Sequence, residues 1–424
     1  MTIIDLGELR DHVTPDPPTR RRPAGGRPYR FLAALAVALL TLAGGVPAVA
    51  RAPATVPGGP AAAAFVAGGR LYVVQSRDPA RGVGRQLVAY GVDPGPPQLL
   101  WRTLLPTDGV AVAVWEQGGM VLVVGRTAND TGWETLGVAA GTGRIGWREA
   151  GVAYPAGDAV VLQPVEGRGG EPTRTVEVTT GRTLWSVPRP PDDLLFSFGP
   201  AGVDRMVFVP ASGAVEVYDP GTGARVAARD LRPGELPARP RILLAAGLLL
   251  VARDAAGTVT AYDLATLDQR WTISIPLVGY AASCGQLICA SRQTGGMWAL
   301  DPATGRIRWS DDRWAAALAA TDGRLLVAAE TAAGTRLTVL EEATGRVVAD
   351  LGGWNLVPQD EVDGRVIGVR AGDDGRLRVA ELDPALGGAR IRDALTGATG
   401  DCRVGGAVLV CRRGDGAFGV WRIG

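Results

Sequence analysis

The sequence repeats one short motif along most of its length. The clearest copy spans residues 299–309, where Asp301 is followed by Thr304-Gly305 and then by Trp309, four positions after the glycine. Complete or partial copies occur at residues 90–101, 141–147, 180–185, 218–223, 261–271, 344–345 and 382–384. An apolar stretch opened by glycine or Asp-Gly precedes each copy, and successive stretches begin about 40 residues apart. A chain with this period is built from many copies of one small structural unit.

Each repeat predicts an antiparallel meander of four strands. The Asp and Thr can bond backbone amides of a tight turn, and the glycine can adopt the positive φ that such a turn needs. The fold class is therefore all-β, a β-propeller of four-stranded antiparallel blades over residues 64–424. Eight blades fit the copies best, while seven or nine stay open because the copy within residues 152–187 is degenerate. Strands from both chain ends are expected to complete one blade.

Five tryptophans end copies of the motif: Trp101, Trp147, Trp185, Trp271 and Trp309. We predict that they dock adjacent blades, because a large ring on an outer strand can pack between blades and donate its N–H to a neighbouring carbonyl. Ligand stacking is the alternative. Trp314 and Trp354 lie outside the frame, where core packing is favoured over a contact in the central channel.

The four cysteines form two pairs that are close in sequence. Cys284 and Cys289 are separated by four residues, and Cys402 and Cys411 by eight. Both spacings suit a disulfide across a short hairpin, so two structural disulfides are predicted, with free buried thiols as the alternative. The sequence lacks the close cysteine pairs and the histidines that a zinc site would need.

The amino-terminal segment predicts a membrane attachment. Residues 1–30 are rich in proline and arginine and are expected to form a disordered cytoplasmic tail. Residues 31–50 carry no charge and could cross the bilayer as a helix, leaving the rest of the chain outside the cell. A signal peptide cleaved near Ala50, which would secrete the protein, is the alternative. Residues 51–63 are expected to be a Pro/Gly linker.

Composition excludes several kinds of chemistry. All 44 basic residues are arginines, and the single histidine, His12, lies in the predicted tail. The propeller region therefore has no lysine nucleophile and no histidine for a catalytic triad. A formal net charge of +1 gives no reason to expect nucleic acid as a partner. No catalytic, cofactor-binding or metal-ligating residue is assigned.

The Asp-x-x-Thr-Gly-x-x-x-Trp frame resembles the pyrroloquinoline-quinone (PQQ) type propeller repeat of quinoprotein alcohol dehydrogenases and of relatives that serve as assembly scaffolds. For the dehydrogenases the resemblance implies a disulfide between adjacent cysteines, a Trp beneath the quinone, and acidic and Asn ligands to calcium. This chain has no adjacent cysteines, and its only asparagines are Asn129 and Asn355. No cofactor is therefore expected, with PQQ and calcium as the alternative.

Three functions follow from these patterns. The favoured one is a non-enzymatic, membrane-anchored scaffold that binds envelope or membrane proteins through loops on one face and the central channel. Its recognition loops are expected at residues 77–86, 127–133 and 165–174. A diverged PQQ-dependent dehydrogenase and a transmembrane sensor that signals through the arginine-rich tail are the alternatives.

Overall fold

The computed structural model describes residues 54–78, 83–92, 95–106, 108–127, 132–164, 172–187, 194–210, 213–231, 241–332, 334–359 and 364–423. The predicted cytoplasmic tail and the predicted membrane-spanning segment, residues 31–50, lie outside these ranges. Within them, no helix has the length and apolar character needed to cross a membrane.

The described residues form 36 strands and one short 3-10 helix, Asp254–Ala256. We divide the strands into groups of four. Groups 1 to 3 are β2 (Ala63–Ala67), β3 (Arg70–Asp78), β4 (Val83–Gly91) and β5 (Gln98–Leu104); β6 (Ala111–Gln117), β7 (Met120–Arg126), β8 (Trp133–Ala139) and β9 (Ile145–Ala150); and β10 (Val152–Ala156), β11 (Ala159–Gln163), β12 (Thr173–Glu177) and β13 (Thr183–Val187).

Groups 4 to 6 are β14 (Leu194–Gly199), β15 (Gly202–Phe208), β16 (Ala214–Tyr218) and β17 (Arg225–Asp230); β18 (Arg241–Ala245), β19 (Leu248–Arg253), β20 (Thr258–Asp263) and β21 (Gln269–Ser274); and β22 (Val278–Cys284), β23 (Leu287–Arg292), β24 (Met297–Leu300) and β25 (Ile307–Asp311).

Groups 7 to 9 are β26 (Ala316–Thr321), β27 (Arg324–Thr331), β28 (Gly334–Glu341) and β29 (Val347–Gly353); β30 (Asn355–Leu356), β31 (Val366–Ala371), β32 (Leu377–Asp383) and β33 (Gly388–Leu395); and β34 (Ala398–Gly405), β35 (Val408–Arg413) and β36 (Phe418–Arg422) with β1 (Ala54–Val56).

Most groups are separate antiparallel sheets with the strands in chain order, as predicted for a propeller. Groups 3 and 4 share one eight-stranded sheet, because Ala156 at the end of β10 pairs with Gly202 at the start of β15. This junction falls beside the degenerate copy of the motif. The described strands thus make nine groups of four. The sequence had favoured eight blades, with nine as one of the two alternatives.

The last group takes its outer strand from the amino-terminal side of the chain. Ala54 lies opposite Val420 and Val56 opposite Phe418, so β1 covers the edge of β36. The linker expected over residues 51–63 therefore contains a strand where the structure describes it. Val56 is buried against the last group, and this burial of an apolar side chain stabilises the short strand.

The core lies between consecutive groups rather than within one of them. Leu250 of β19 and Ile288 of β23 belong to one buried apolar cluster, and equivalent clusters connect the other neighbours. A further cluster contains Val66 of β2 and Val410 of β35, so the first and last groups also pack against each other. The apolar strands are buried on both faces because each sheet is covered by two neighbours.

Both predicted disulfides are present. Cys284 of β22 is bonded to Cys289 of β23, with the Cα atoms 5.8 Å apart. Cys402 of β34 is bonded to Cys411 of β35, directly opposite it in the register. All four residues are buried, and each bond ties the first hairpin of its own group.

Candidate functional site

The repeated Asp-x-x-Thr-Gly segment is a turn between the third and fourth strands. Asp301 Oδ1 accepts hydrogen bonds from the backbone N–H of Ala303 at 2.9 Å and of Thr304 at 3.1 Å. The Thr304 hydroxyl in turn accepts one from the backbone N–H of Arg306. The Arg308 guanidinium, which also bonds Asp301, holds the pKa of that carboxyl below its ordinary value of 3.8. The acidic side chain therefore stabilises the turn.

The five tryptophans of the frame contact the turn of the following group. In each case the indole N–H donates to a backbone carbonyl there. The bonds are Trp101 to Ala140 at 2.8 Å, Trp147 to Val178 at 2.8 Å, Trp185 to Pro220 at 3.0 Å, Trp271 to Pro302 at 2.8 Å and Trp309 to Glu342 at 2.7 Å. The ring of each one also lies over the glycine that ends the turn, so these residues bind neighbouring groups together.

The junction between groups 4 and 5 lacks this arrangement. Between groups 4 and 5 the tryptophan position holds Ala227, and the glycine position holds Leu267, whose φ is +59°. Leu267 is fully buried in the cluster against which Ala227 packs. The leucine side chain therefore fills the space that an indole ring occupies elsewhere. Trp314 and Trp354, which lie outside the frame, are both buried.

A cavity opens along the first strands of three successive groups, β14, β18 and β22. Its volume is about 670 Å³, in the range of small-molecule and peptide sites. Two aromatic side chains on its walls, Phe198 and Tyr280, are each 61% exposed. Leu243 of β18 lies between them in the lining, which the described residues make partly polar through Asp204 and Ser283.

The Phe198 side of the cavity belongs to an aromatic cluster. The ring centroid of Phe196 is 4.7 Å from that of Tyr154 and 6.2 Å from that of Phe198. Burial raises the pKa of the Tyr154 phenol, which therefore stays neutral over the physiological range. The cluster gives this wall a rigid apolar surface next to polar groups.

The sequence did not point to Phe198 or Tyr280. The residues it singled out lie at turns and outer strands, and the structure brings none of the five docking tryptophans into the lining of this cavity. Aromatic residues also occur in the first strands β2, β6 and β10, at Phe65, Trp115 and Tyr154, so no signal in the sequence distinguished the two cavity residues. The predicted recognition loops lie at the ends of β3, β7 and β11, and residues 79–82, 128–131 and 165–171 of them are outside the described ranges.

Two features that the resemblance implies for a quinone and calcium site are missing from the described residues. Each disulfide closes a hairpin within one group, so neither is the bond between adjacent cysteines expected above the quinone. Across the described parts of the chain, no three acidic, histidine or cysteine side chains come together in a way that could hold a metal ion.

Four-stranded repeats that dock through a tryptophan on an Asp-x-x-Thr-Gly turn define a PQQ-type propeller-repeat protein. The family model described as outer membrane protein assembly factor BamB matches residues 138–310 and 211–404, which together exceed half of the chain. The chain therefore belongs to this family. No curated protein matches it significantly in sequence.

Similar solved structures include BamB from Moraxella catarrhalis, with 14% identity, 85% of this chain and 93% of that chain covered, and a TM-score of 0.43. A europium-containing methanol dehydrogenase has 12% identity, coverages of 78% and 84%, and a TM-score of 0.44. The computationally designed Ika8 protein has 17% identity, coverages of 74% and 96%, and a TM-score of 0.47.

Proposed function

We propose that this protein is a membrane-anchored, extracytoplasmic scaffold that binds other envelope or membrane proteins. Membership of a family described as an outer membrane protein assembly factor is the observation that carries the proposal. The docked turns and interlocking clusters support it, because they give a rigid platform on which loops and the cavity can present binding groups. Residues 31–50 would attach the platform to the bilayer.

Cross-linking in the native membrane tests this role. A photoreactive amino acid replaces Arg77, an exposed residue where β3 approaches its connection to β4. The control position is Leu386, which is 84% exposed on a connection between a third and a fourth strand, at the opposite end of the groups. A discrete protein adduct from position 77 that is absent from position 386 supports the scaffold, whereas no adduct from either position counts against it.

We propose that the protein is not an enzyme. Addition of PQQ and calcium, followed by a dye-reduction assay with alcohols and sugars, should give no turnover above that of the buffer. Sustained turnover by the purified protein would assign it to the dehydrogenases.

The anchor is tested at the amino terminus of the mature protein. The proposal expects residues 1–50 to be retained in the membrane fraction, with the amino terminus protected on the cytoplasmic side. A mature chain that starts at Arg51 would replace the anchor with a cleaved signal peptide.

We further propose that the nine groups close into a single ring of nine blades. The cluster shared by Val66 and Val410, together with the pairing of β1 and β36, supports this closure. Class averages of the purified protein viewed along the channel should show nine spokes, and eight spokes would require two groups to share one blade.

A further inference from the structure

Strand β18 has one edge that no other described strand covers. It is the terminal strand of its sheet, which runs β18-β19-β20-β21. A sheet edge of this kind presents backbone N–H and C=O groups that can pair with another extended chain. Most other first strands share this property, an exception being β10, which pairs with β15 at Ala156. Strand β18 is distinguished by its place between β14 and β22 along the cavity.

The turn that follows β18 identifies the groups on the free edge. Ala246 and Gly247 both have positive φ, 50° and 70°, and connect β18 to β19 as a two-residue turn. Such a turn makes its flanking residues, Ala245 and Leu248, a hydrogen-bonded pair. Because the pattern alternates, Ile242 and Leu244 form non-hydrogen-bonded pairs with β19 and direct their backbone N–H and C=O groups to the free edge.

The cavity walls carry aromatic residues at breaks in the strand register. The β14–β15 register shifts between Ser197 and Phe198, and the β22–β23 register shifts between Val278 and Tyr280. Such irregularities re-aim side chains next to binding sites. Both rings are largely exposed on either side of β18, although the Phe198 ring also contacts that of Phe196 in its own strand.

We propose that this cavity binds an extended peptide segment, which adds as a strand to the free edge of β18. The backbone groups of Ile242 and Leu244 would pair with the peptide backbone, about 4.8 Å away. Phe198 and Tyr280 take apolar side chains at alternate positions of the peptide, while Asp204 and Ser283 bind polar groups near one end. The inference rests on the proposed scaffold function and names the chemical class of its partner.

A peptide fits these observations better than a saccharide. Exposed aromatic rings beside a carboxylate and a hydroxyl could also stack on a sugar. A sugar, however, makes no use of two N–H and two C=O groups spaced along a strand edge, whereas a peptide backbone repeats the matching donors and acceptors at the same spacing. The saccharide is therefore treated as an outcome of the test.

The experiment uses the full-length protein in lipid nanodiscs and a phage-displayed library of random heptapeptides. Enriched peptides should carry bulky apolar residues at alternate positions, and a fluorescein-labelled synthetic copy of the most enriched one serves as the probe. Leu244→Pro removes the backbone N–H on the free edge and leaves the β18–β19 ladder intact, because that N–H is not used in it. This variant should bind the probe about tenfold more weakly, the change expected for one lost hydrogen bond.

Matched variants separate binding from folding. Leu244→Val keeps the N–H and should bind within about twofold of the original protein. Phe198→Ser and Tyr280→Ser test the walls without touching β18, and each should weaken binding by about tenfold or more. If Leu244→Pro does not fold, as judged by its thermal transition, the two wall variants still decide the outcome.

Three results would overturn the proposal: no enriched peptide, equal binding by a folded Leu244→Pro, or equal binding by both wall variants. Displacement of the probe by chitohexaose at millimolar concentration would assign the cavity to saccharides instead. None of these results affects cross-links from position 77, so failure of the peptide site is distinguishable from failure of the scaffold function.

Discussion

The indole ring of Trp271 lies over the backbone of Gly305 in the next group. A Cβ atom built on Gly305 would come within 2.6 Å of the ring, and the glycine has a φ of +71°. The same close approach joins Trp101 with Gly143, Trp147 with Gly181, Trp185 with Gly223, and Trp309 with Gly345. The motif thus places its two most constrained residues on opposite sides of a junction between groups.

Gly305→Ala should lower the free energy of unfolding by about 2 to 4 kcal/mol. Part of the cost is the left-handed backbone, about 1 to 2 kcal/mol, and the rest is displacement of the Trp271 ring. Gly323→Ala is the control, because Gly323 has nearly the same φ, +70°, with nothing within 4 Å of its added Cβ. Urea unfolding of both variants measures the difference. Equal losses in the free energy of unfolding would show that the Trp271 ring can move aside without destabilising the protein.

The junction between groups 4 and 5 should be convertible to the tryptophan–glycine arrangement. Ala227→Trp alone should be destabilising because the ring meets Leu267, and Leu267→Gly alone should be destabilising because it leaves a void. The double variant should recover about 1 to 3 kcal/mol relative to the sum of the single effects. A double-mutant cycle by chemical denaturation measures this coupling, and strict additivity would show that the two positions do not share the space.

Stability should fall in acid. The pKa of Asp263 is lowered by its hydrogen bond with Arg270, and that of Asp311 by its hydrogen bond with Arg313. A carboxyl whose folded-state pKa is depressed contributes stability that is fully present above its ordinary pKa of 3.8 and is lost as the pH falls through the folded value. We expect the free energy of unfolding to decrease from about pH 5 downwards, modestly because these pairs are solvent-exposed.

The double variant Asp263→Asn, Asp311→Asn provides the control for the acid effect. It should be less stable than the original protein at neutral pH and should show a shallower loss on acidification. Parallel pH profiles for the two proteins would assign the acid sensitivity to other carboxyl groups.

Loss of β1 should destabilise the last group. A chain that begins at Pro57 lacks the strand that covers β36 and the buried side chain of Val56, whose burial accounts for about 2 kcal/mol. A chain that begins at Ala54 retains both and is the matched control. Thermal unfolding should show a lower Tm for the shorter chain, together with a greater tendency to aggregate through the exposed edge. Identical transitions would mean that β1 adds nothing to closure.

The features predicted from sequence are those fixed by local chemistry. The Asp301 turn and the two hairpin disulfides depend on residues a few positions apart, so the motif and the cysteine spacing were sufficient. Docking by Trp271 followed from its fixed distance to the turn glycine. The fold class could be predicted from the period of the repeat alone.

The features not predicted depend on relations between distant segments. Phe198 and Tyr280 become neighbours of one cavity only because consecutive groups set β14, β18 and β22 side by side, and register shifts decide how far each ring is exposed. Strand β1 is three residues long and its partner lies at the other end of the chain, so no local pattern marks it. The number of groups depends on the same long-range pairing.

The pairing of β1 with β36 also sets an order of events during biosynthesis. Val420, the partner of Ala54, emerges from the ribosome only after all the intervening groups have been synthesised. The amino-terminal strand must therefore wait, unpaired, while every intervening group forms. The last group is consequently completed late in synthesis, and factors that protect exposed strand edges would act on the nascent chain until β36 is released.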